Sequence, residues 1–508
     1  MKKELSIDSG VLQFVPKGAY YEDAEEQKAA VNLCWKDFLS YDRTLFSLST
    51  LLPGSGYSKG AMSHMLLSNP ITNKERSLTV DVLPLDFETQ IIKYNLKKES
   101  FSRALKNLLM LAGGEGFSRV NNSKTRKLIL SFIFERTNQE LDNLAVNYKS
   151  KLRTLVAHAL GKQTLFMILS GHGPTFDKWV GCYNSDCYTV IFHLFNRPTV
   201  LLKLENKFPK ILQYEKLKNS AKDQDLVKFK SNMDKLPMRT VMGFRNTYKL
   251  NIDLSDVYDK SKMSSKETLQ MESAVKKSGA KKKEIDYTKY DIYELWKVFY
   301  FKVLNNEVDD LDRIMSAIDF VSVRNQTIDI GPATVIFDAS RSMEGSVERK
   351  FQPFLTSLSI LSTLKNVQGV VYVGGKYIKV PVESNDDFKV IIPQNNTYLW
   401  KGLLEALKNK PKNIIVISDG YENSVKGMFE HVYDHLKSSD FDFNLIHLNP
   451  VFSASASMGS ARRITKDTKP LPVSDYKYLE TELMMNQMLE QPSVVKKQLI
   501  QRFQKLIK

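Results

Sequence analysis

Apolar positions in the first 325 residues recur every three or four places, which is the spacing of amphipathic helices. The clearest stretches are 99–111, 123–134 and 138–160, and Gly or Pro residues lie near many of the helix ends. Helices of about 15 residues that alternate with short turns are typical of an α-helical repeat array. We therefore predict such an array, with no fixed sequence period, over residues 1–325.

One segment inside this region has a different composition. Residues 259–284 are rich in Lys and Ser and poor in large apolar residues, and their basic end holds Lys276, Lys277 and Lys281–Lys283. This composition predicts an exposed insertion. Two interpretations stay open for it, a solubilising segment and a contact to nucleic acid.

The pattern changes after residue 325. Short, mostly apolar runs rich in β-branched residues occur at 334–337, 369–375, 413–419 and 443–449, and helical patterns separate them. Because these runs are apolar on both faces, they predict buried strands of a doubly wound, mostly parallel sheet. We assign residues 326–475 to this α/β domain and 476–508 to a helical C-terminal tail, which makes the fold class α + α/β.

Polar side chains follow the predicted strands at their carboxyl ends. Asp338, Ser340 and Ser342 come directly after the first strand, and Asp419 ends a later one. Thr397 precedes a predicted helix, in a loop at the same edge of the sheet. Open α/β sheets place ligand crevices at this edge. Carboxylate and hydroxyl oxygens suit a hard cation, so these five residues predict a site for Mg²⁺ or Mn²⁺.

The composition of the chain limits the classes of protein to which it can belong. The chain has 508 residues, a formal net charge of +16 and 42% hydrophobic residues, values that favour a globular protein with a polyanionic partner. Three cysteines are too few for a disulfide framework. There is neither a signal-peptide pattern nor an apolar run of about 18 residues. We therefore expect a cytoplasmic protein without a membrane partner.

Sequence patterns that resemble enzyme motifs lack the neighbouring elements or residues that the enzymes require. The G-x-S-x-G pattern at 56–60 follows no predicted strand, which a nucleophile elbow requires. The chain contains no G-x-x-x-x-G-K-[ST] phosphate-binding loop. Phosphatases of the haloacid dehalogenase type carry a second Asp where this chain has Ser340. We predict that the protein is not an enzyme.

The polar residues at the strand ends resemble a known family. D-A-S-R-S-M at 338–343, Thr397 within N-N-T, and S-D-G at 418–420 are similar to the von Willebrand factor A domain and its metal-ion-dependent adhesion site (MIDAS). The resemblance implies a metal whose open coordination position takes a carboxylate or phosphate from a partner. The family usually has Gly at the position of Arg341, and the arginine would put a cation beside the metal.

The layout of the whole chain resembles the Ro autoantigen family, in which a TROVE module of HEAT-like helical repeats forms a ring that binds noncoding RNA. The similar stretches are 147–162, 235–248, N-P-V-F-S-A at 449–454 and the pair Arg462–Arg463. The resemblance implies a cytoplasmic ribonucleoprotein that binds noncoding or misfolded RNA. Closure of the helical array into a ring is left open by the sequence.

Basic residues on the two similar stretches are the candidates for RNA contacts, because Lys and Arg bind phosphates and His can contact a base or a phosphate. The candidates are Lys149, Lys151, Arg153, His158, Lys162, Arg239 and Arg245.

Three interpretations of function remain. The first is a non-enzymatic RNA-binding protein of the Ro type with a metal site in its A domain. The second is a protein-interaction adaptor whose metal site captures a partner's carboxylate, in concert with an AAA+ ATPase. In the third, the A domain is purely structural.

Overall fold

A computed structural model describes most of the chain. The described residues are 35–54, 56–69, 83–114, 116–171, 185–197, 207–234, 236–264, 267–268, 284–347, 350–380, 388–422, 424–439, 441–451, 462–473 and 475–507. The basic end of the predicted insertion, Lys276 to Lys283, and two of the cysteines, Cys34 and Cys182, lie outside them.

Helices dominate the chain before residue 326. After a helical stretch at 35–41, the α-helices in this region are α1 (Arg43–Ser49), α2 (Gly56–Ser68), α3 (Phe87–Lys98), α4 (Phe101–Leu111), α5 (Ser123–Phe134), α6 (Asn138–Asn147), α7 (Lys149–Leu169), α8 (Ser185–Leu194), α9 (Pro209–Lys222), α10 (Leu226–Asn232), α11 (Met238–Thr247), α12 (Leu254–Lys260), α13 (Ile292–Leu304) and α14 (Leu311–Asn325).

Strands and helices alternate from residue 333 onward. The order is β1 (Ala333–Ala339), α15 (Gln352–Leu361), β2 (Val367–Gly374), β3 (Lys376–Lys379), β4 (Lys389–Ile392), α16 (Leu399–Leu407), β5 (Asn413–Ile417), α17 (Met428–Ser438), β6 (Asn444–Asn449), β7 (Pro470–Pro472), α18 (Leu479–Glu490) and α19 (Pro492–Ile507).

The chain divides into two compact units. One unit comprises residues 59–286 and is helical in its described part, and the other comprises residues 1–58 together with 287–508 and contains the sheet. Helices α13 and α14 therefore belong to the unit with the sheet. The functional division at 325/326 and 475/476 stays a prediction.

The sheet has five parallel strands in the order β2-β1-β5-β6-β7. Every residue of β1 is buried, and so are four of the five residues of β5. Such strands are apolar on both faces because helices cover both faces of a parallel sheet. The predicted mixture of helices with a mostly parallel sheet is confirmed. After β2 the chain forms a separate antiparallel pair, β3 with β4.

Local signals set the helix boundaries in the helical unit. Asn122 caps α5 by accepting from the Thr125 N–H, and Thr137 with Glu140 forms a reciprocal capping box at the start of α6. The continuous helix predicted at 138–160 is interrupted at Tyr148, and helical structure resumes as α7. Gly161 inside α7 has φ +76° and ψ 165°, so the backbone kinks there and the helical pattern continues beyond it.

Among the described residues, no helix is long and apolar enough to cross a membrane.

Candidate metal centre and nucleic-acid interface

The order of the strands places two carboxylates at one edge of the sheet. The chain leaves β1 toward β2 on one side, whereas β5, β6 and β7 lie on the other side, so the order reverses between β1 and β5. Phe337 pairs with Ile417, the last residue of β5. Asp338 is the next residue of β1, one before the end of that strand, and Asp419 comes two residues after Ile417. Both carboxylates therefore lie at the carboxyl edge of the sheet, at the crevice where doubly wound sheets bind ligands.

Hydrogen bonds fix the carboxylate of Asp338. Its Oδ1 accepts from the backbone N–H of Ser340 at 2.9 Å, and its Oδ2 accepts from the Ser418 hydroxyl at 2.6 Å. The hydroxyls of Ser340 and Ser342 lie 3.1 Å apart. Asp338, Ser340 and Ser418 are fully buried, whereas Ser342 is half-buried. The cluster thus reaches the surface beside Ser342.

Both carboxylates are costly to ionise in this structure. Burial and the nearby charge of Asp419 together raise the pKa of Asp338 to about 7, against hydrogen bonds from Ser418 and Ser340 that lower it. Burial also raises the pKa of Asp419, which the Ser342 hydroxyl and the Arg462 charge oppose. Two buried acids with raised pKa values are stabilised in their charged form by a cation placed between them.

Thr397 completes the set with an oxygen that has no partner. The residue is fully buried, and its Oγ1 makes no hydrogen bond within the described structure. The backbone carbonyl of the same residue accepts from Ser424 Oγ at 2.7 Å, which fixes the loop. A buried hydroxyl without a partner is costly, and coordination to a cation would satisfy it.

Close backbone contacts hold the loop that carries Ser340. A Cβ at Gly374, where φ is +72°, would lie 2.9 Å from Ser340 Cα, so only glycine fits at this position. The N–H of Arg341 donates to the carbonyl of Asn395 at 3.1 Å, which links this loop to the one that precedes Thr397. Arg341 itself is exposed.

The predicted oxygen set therefore fits a hard divalent cation by its chemistry. Asp338, Ser340, Ser342, Thr397 and Asp419 would hold the ion. The described residues contain no cluster of three or more His, Cys, Asp or Glu side chains. Two carboxylates with three hydroxyls do not form such a cluster, and they match the mixed oxygen ligands that Mg²⁺ accepts.

A second candidate site lies in the helical unit. A cleft of about 550 Å³ lies between the junction of α6 with α7 and the helices α9 and α11, and we call it the α7–α11 cleft. Lys149, Lys151 and Arg239 line it together with four aromatic residues. These aromatic residues are Tyr148, Tyr214, Phe244 and Tyr248. The cleft unites the two basic stretches at 147–162 and 235–248.

Lys149 is partly enclosed in this cleft. Its Nζ lies 4.6 Å from the centre of the Tyr214 ring and 3.7 Å from a carboxylate oxygen of Glu215. Glu215 also accepts from His193 Nδ1 at 2.9 Å. Burial lowers the pKa of Lys149 to about 8, although the Glu215 charge opposes the shift. The Lys149 ammonium is buried and therefore less well solvated than that of a surface lysine, and Glu215 is its anionic partner.

The remaining four candidates for RNA contacts lie outside the α7–α11 cleft. His158 is 6% exposed, and its Nε2 bonds to the Val120 carbonyl at 3.0 Å, so its ring belongs to the helix packing and cannot reach RNA. Arg245 Nε donates to the Ile252 carbonyl at 2.6 Å. Arg153 lies over the Phe195 ring, and Lys162 is exposed beyond the kink at Gly161. None of these four lines the α7–α11 cleft.

Several residues around the two sites were not singled out from the sequence. Ser418, whose hydroxyl donates to Asp338, belongs to the S-D-G motif at 418–420 but was not predicted to be a site residue. The aromatic wall of the cleft, with Tyr214 and Phe244 centres 5.1 Å apart, comes from stretches far apart in the chain and had no local signal.

Comparison with protein-family models and with curated proteins finds no match to this chain.

Proposed function

We propose that the protein is a non-enzymatic RNA-binding protein, similar in its layout to the Ro family, and that the α7–α11 cleft is its RNA contact. The main support for the proposal is that Lys149, Lys151 and Arg239 line one cleft together with aromatic side chains. Its helical unit would then correspond to the repeat array and its sheet to an A-type domain.

The chemistry of the cleft suits single-stranded RNA. Cationic side chains bind phosphates, and exposed aromatic faces stack on bases. The rings of Phe244 and Tyr248 are stacked with an interplanar angle of 27° and centres 6.3 Å apart, next to Tyr214. A base–aromatic contact contributes about 1–3 kcal/mol to binding, and each phosphate contact adds a salt-dependent increment.

Filter binding with a single-stranded RNA over a series of salt concentrations tests this proposal. The double variant Lys151→Ala, Arg239→Ala should weaken binding about tenfold or more at low salt and reduce the salt slope by roughly one to two. Lys162→Ala removes one positive charge from α7, the helix that also carries Lys151, at a position outside the cleft, and serves as the control for the single variant Lys151→Ala. Wild-type protein without RNA affinity at low salt, or with affinity indifferent to salt, would refute the proposal.

We further propose that Asp338, Ser340, Ser342, Thr397 and Asp419 hold Mg²⁺ or Mn²⁺. Two observations support this proposal, namely the buried Thr397 hydroxyl without a partner and the burial of both Asp338 and Asp419. A bound ion would supply an open position for an anionic group of a partner.

This site also favours a second candidate function, an adaptor that captures a carboxylate of a partner protein. Purified protein should be examined by its ultraviolet absorbance ratio and by the proteins that accompany it. Retained protein without nucleic acid, released by Asp338→Ala, would support the adaptor. Retained RNA that Asp338→Ala does not release supports the first function.

A further inference from the structure

The unit with the sheet contains a second pocket beside Asp419. It has a volume of about 590 Å³ and lies between the loop after β5, the start of α17 and the segment that begins at Arg462. This size is typical of pockets that hold small ligands. Four basic side chains line it, namely those of Lys426, Arg462, Arg463 and Lys466.

Two carboxylates in the lining already have partners. Both oxygens of Glu422 accept from the Phe429 N–H at the start of α17, at 3.0 and 3.1 Å. Glu430 Oε1 accepts from the Lys466 N–H at 2.8 Å. The lining holds four basic and two acidic side chains, so it carries a net positive charge that favours an anion of charge about −2.

The guanidinium group of Arg462 is pre-organised. The Arg462 guanidinium carbon lies 3.4 Å from the centre of the Tyr421 ring, which is a stacked arrangement. Gly420 permits this approach, because a Cβ there would lie 3.0 Å from both the Cβ and the carbonyl oxygen of Arg462, and its φ is +78°. A guanidinium held flat loses little conformational entropy when it binds a ligand, and its free face can stack on a base.

We propose that this pocket binds the phosphate monoester of a nucleotide, with Arg462, Arg463, Lys426 and Lys466 around the phosphate. A phosphate monoester matches the excess charge better than a carboxylate, which carries a single charge. A volume of about 590 Å³ leaves room for more than the phosphate alone. The inference concerns residues outside both the oxygen set and the α7–α11 cleft, and it does not require that the cleft binds RNA.

Isothermal titration of the full-length protein with adenosine 5′-monophosphate at low salt tests the proposal. EDTA is present throughout, so that the candidate metal centre cannot contribute. The nucleotide should bind, adenosine should bind much more weakly, and excess inorganic phosphate should compete. Arg462→Met and Lys426→Met should each weaken binding about tenfold, as expected for one charge-assisted hydrogen bond.

Two controls separate this pocket from other basic surfaces. Lys408→Met removes a charge from an exposed ion pair with Glu405 outside the lining and should leave the affinity unchanged. The cleft variant Lys151→Ala, Arg239→Ala should also leave it unchanged. Lys426 is exposed, so its substitution tests the pocket even where Arg462→Met lowers stability. Absence of nucleotide binding, equal binding of adenosine, or loss of binding only in the cleft variant would overturn the inference, whereas RNA binding by the cleft would stand.

Discussion

Replacing Asp338 by Asn should make the protein more stable at neutral pH when divalent cations are absent. The side chain is fully buried, and its ionised form is opposed by burial and by Asp419. Asn keeps the shape and can still accept from the Ser340 N–H, and it carries no charge. The variant also removes a ligand of the proposed metal centre. It should therefore lose any stabilisation by Mg²⁺.

The magnitude follows from the shift in the pKa of Asp338. Its pKa rises from 3.8 to about 7 on folding, and a shift of about three units corresponds to about 4 kcal/mol. Because the folded-state pKa lies above the unfolded value, the protonated acid contributes fully below about pH 4. That contribution disappears as the pH rises through 7. Between pH 5 and pH 8 the metal-free wild type should thus lose about 3 kcal/mol that the variant keeps.

Intrinsic tryptophan fluorescence is the appropriate assay for this unit. Three of the four tryptophans, Trp35, Trp296 and Trp400, belong to the unit with the sheet, and Trp400 packs against its core. Thermal unfolding would be followed at pH 5 and pH 8, each with EDTA and with Mg²⁺. At a hundredfold excess over its dissociation constant, Mg²⁺ should stabilise the wild type by about 2.7 kcal/mol.

Two results would contradict this reasoning. A wild type and an Asp338→Asn variant that lose stability equally between pH 5 and pH 8 would show that this carboxylate does not titrate as described. Equal stabilisation of both proteins by Mg²⁺ would show that the ion binds elsewhere.

Two further substitutions test how the unit with the sheet is packed and how one buried histidine affects its stability at acid pH. Gly402→Ala should lower the free energy of unfolding by about 1–2 kcal/mol, because the new Cβ would lie 2.7 Å from a side-chain atom of Val373 and 2.9 Å from one of Ile336. Chemical denaturation measures the change. Gly369→Ala is the control, since there is open space around Gly369, and it should leave stability unchanged or raise it. His447 is fully buried with its pKa lowered to about 4, so the contribution of this residue to stability should fall by about 3 kcal/mol as the pH falls from 6.5 to 4, against the opposite change at Asp338. In urea titrations at the two pH values, His447→Met should therefore gain about that much stability relative to the wild type as the pH is lowered, and a difference that does not change with pH would refute the role of His447.

Most of what could be predicted about the sheet came from the short apolar runs in the sequence. A strand that is buried on both faces is apolar along most of its length, so the polar residues at the end of the apolar run lie near its carboxyl end, and this located Asp338 and Asp419 at one edge of the sheet. The helix ends were harder to place. Tyr148 interrupts the helical pattern without a Pro or Gly, and Gly161 kinks the chain without ending the helical pattern.

The helical unit shows why charge along a helix is a weak guide to a site. Helical spacing predicts that Lys149 and His158 lie on a helix, but the neighbours that bury the His158 ring come from elsewhere in the chain. Tyr214 and Phe244 reach the α7–α11 cleft only through tertiary packing. Sequence patterns report local periodicity, whereas a cleft is made by contacts between distant segments.

The division of the chain has a consequence for its synthesis. Helix α1 packs against α19, and Asp42, just before α1, forms an ion pair with Lys496 at 2.6 Å. The first and last described parts of this unit are therefore in contact. A ribosome must make residues 59–286 between them, which at about 5–20 residues per second takes on the order of 10–45 s. The helical unit can meanwhile fold from its own contiguous residues, whereas the apolar face of α1 waits for its partner. The side of α1 that packs on α19 therefore stays uncovered until residues 492–507 have been made.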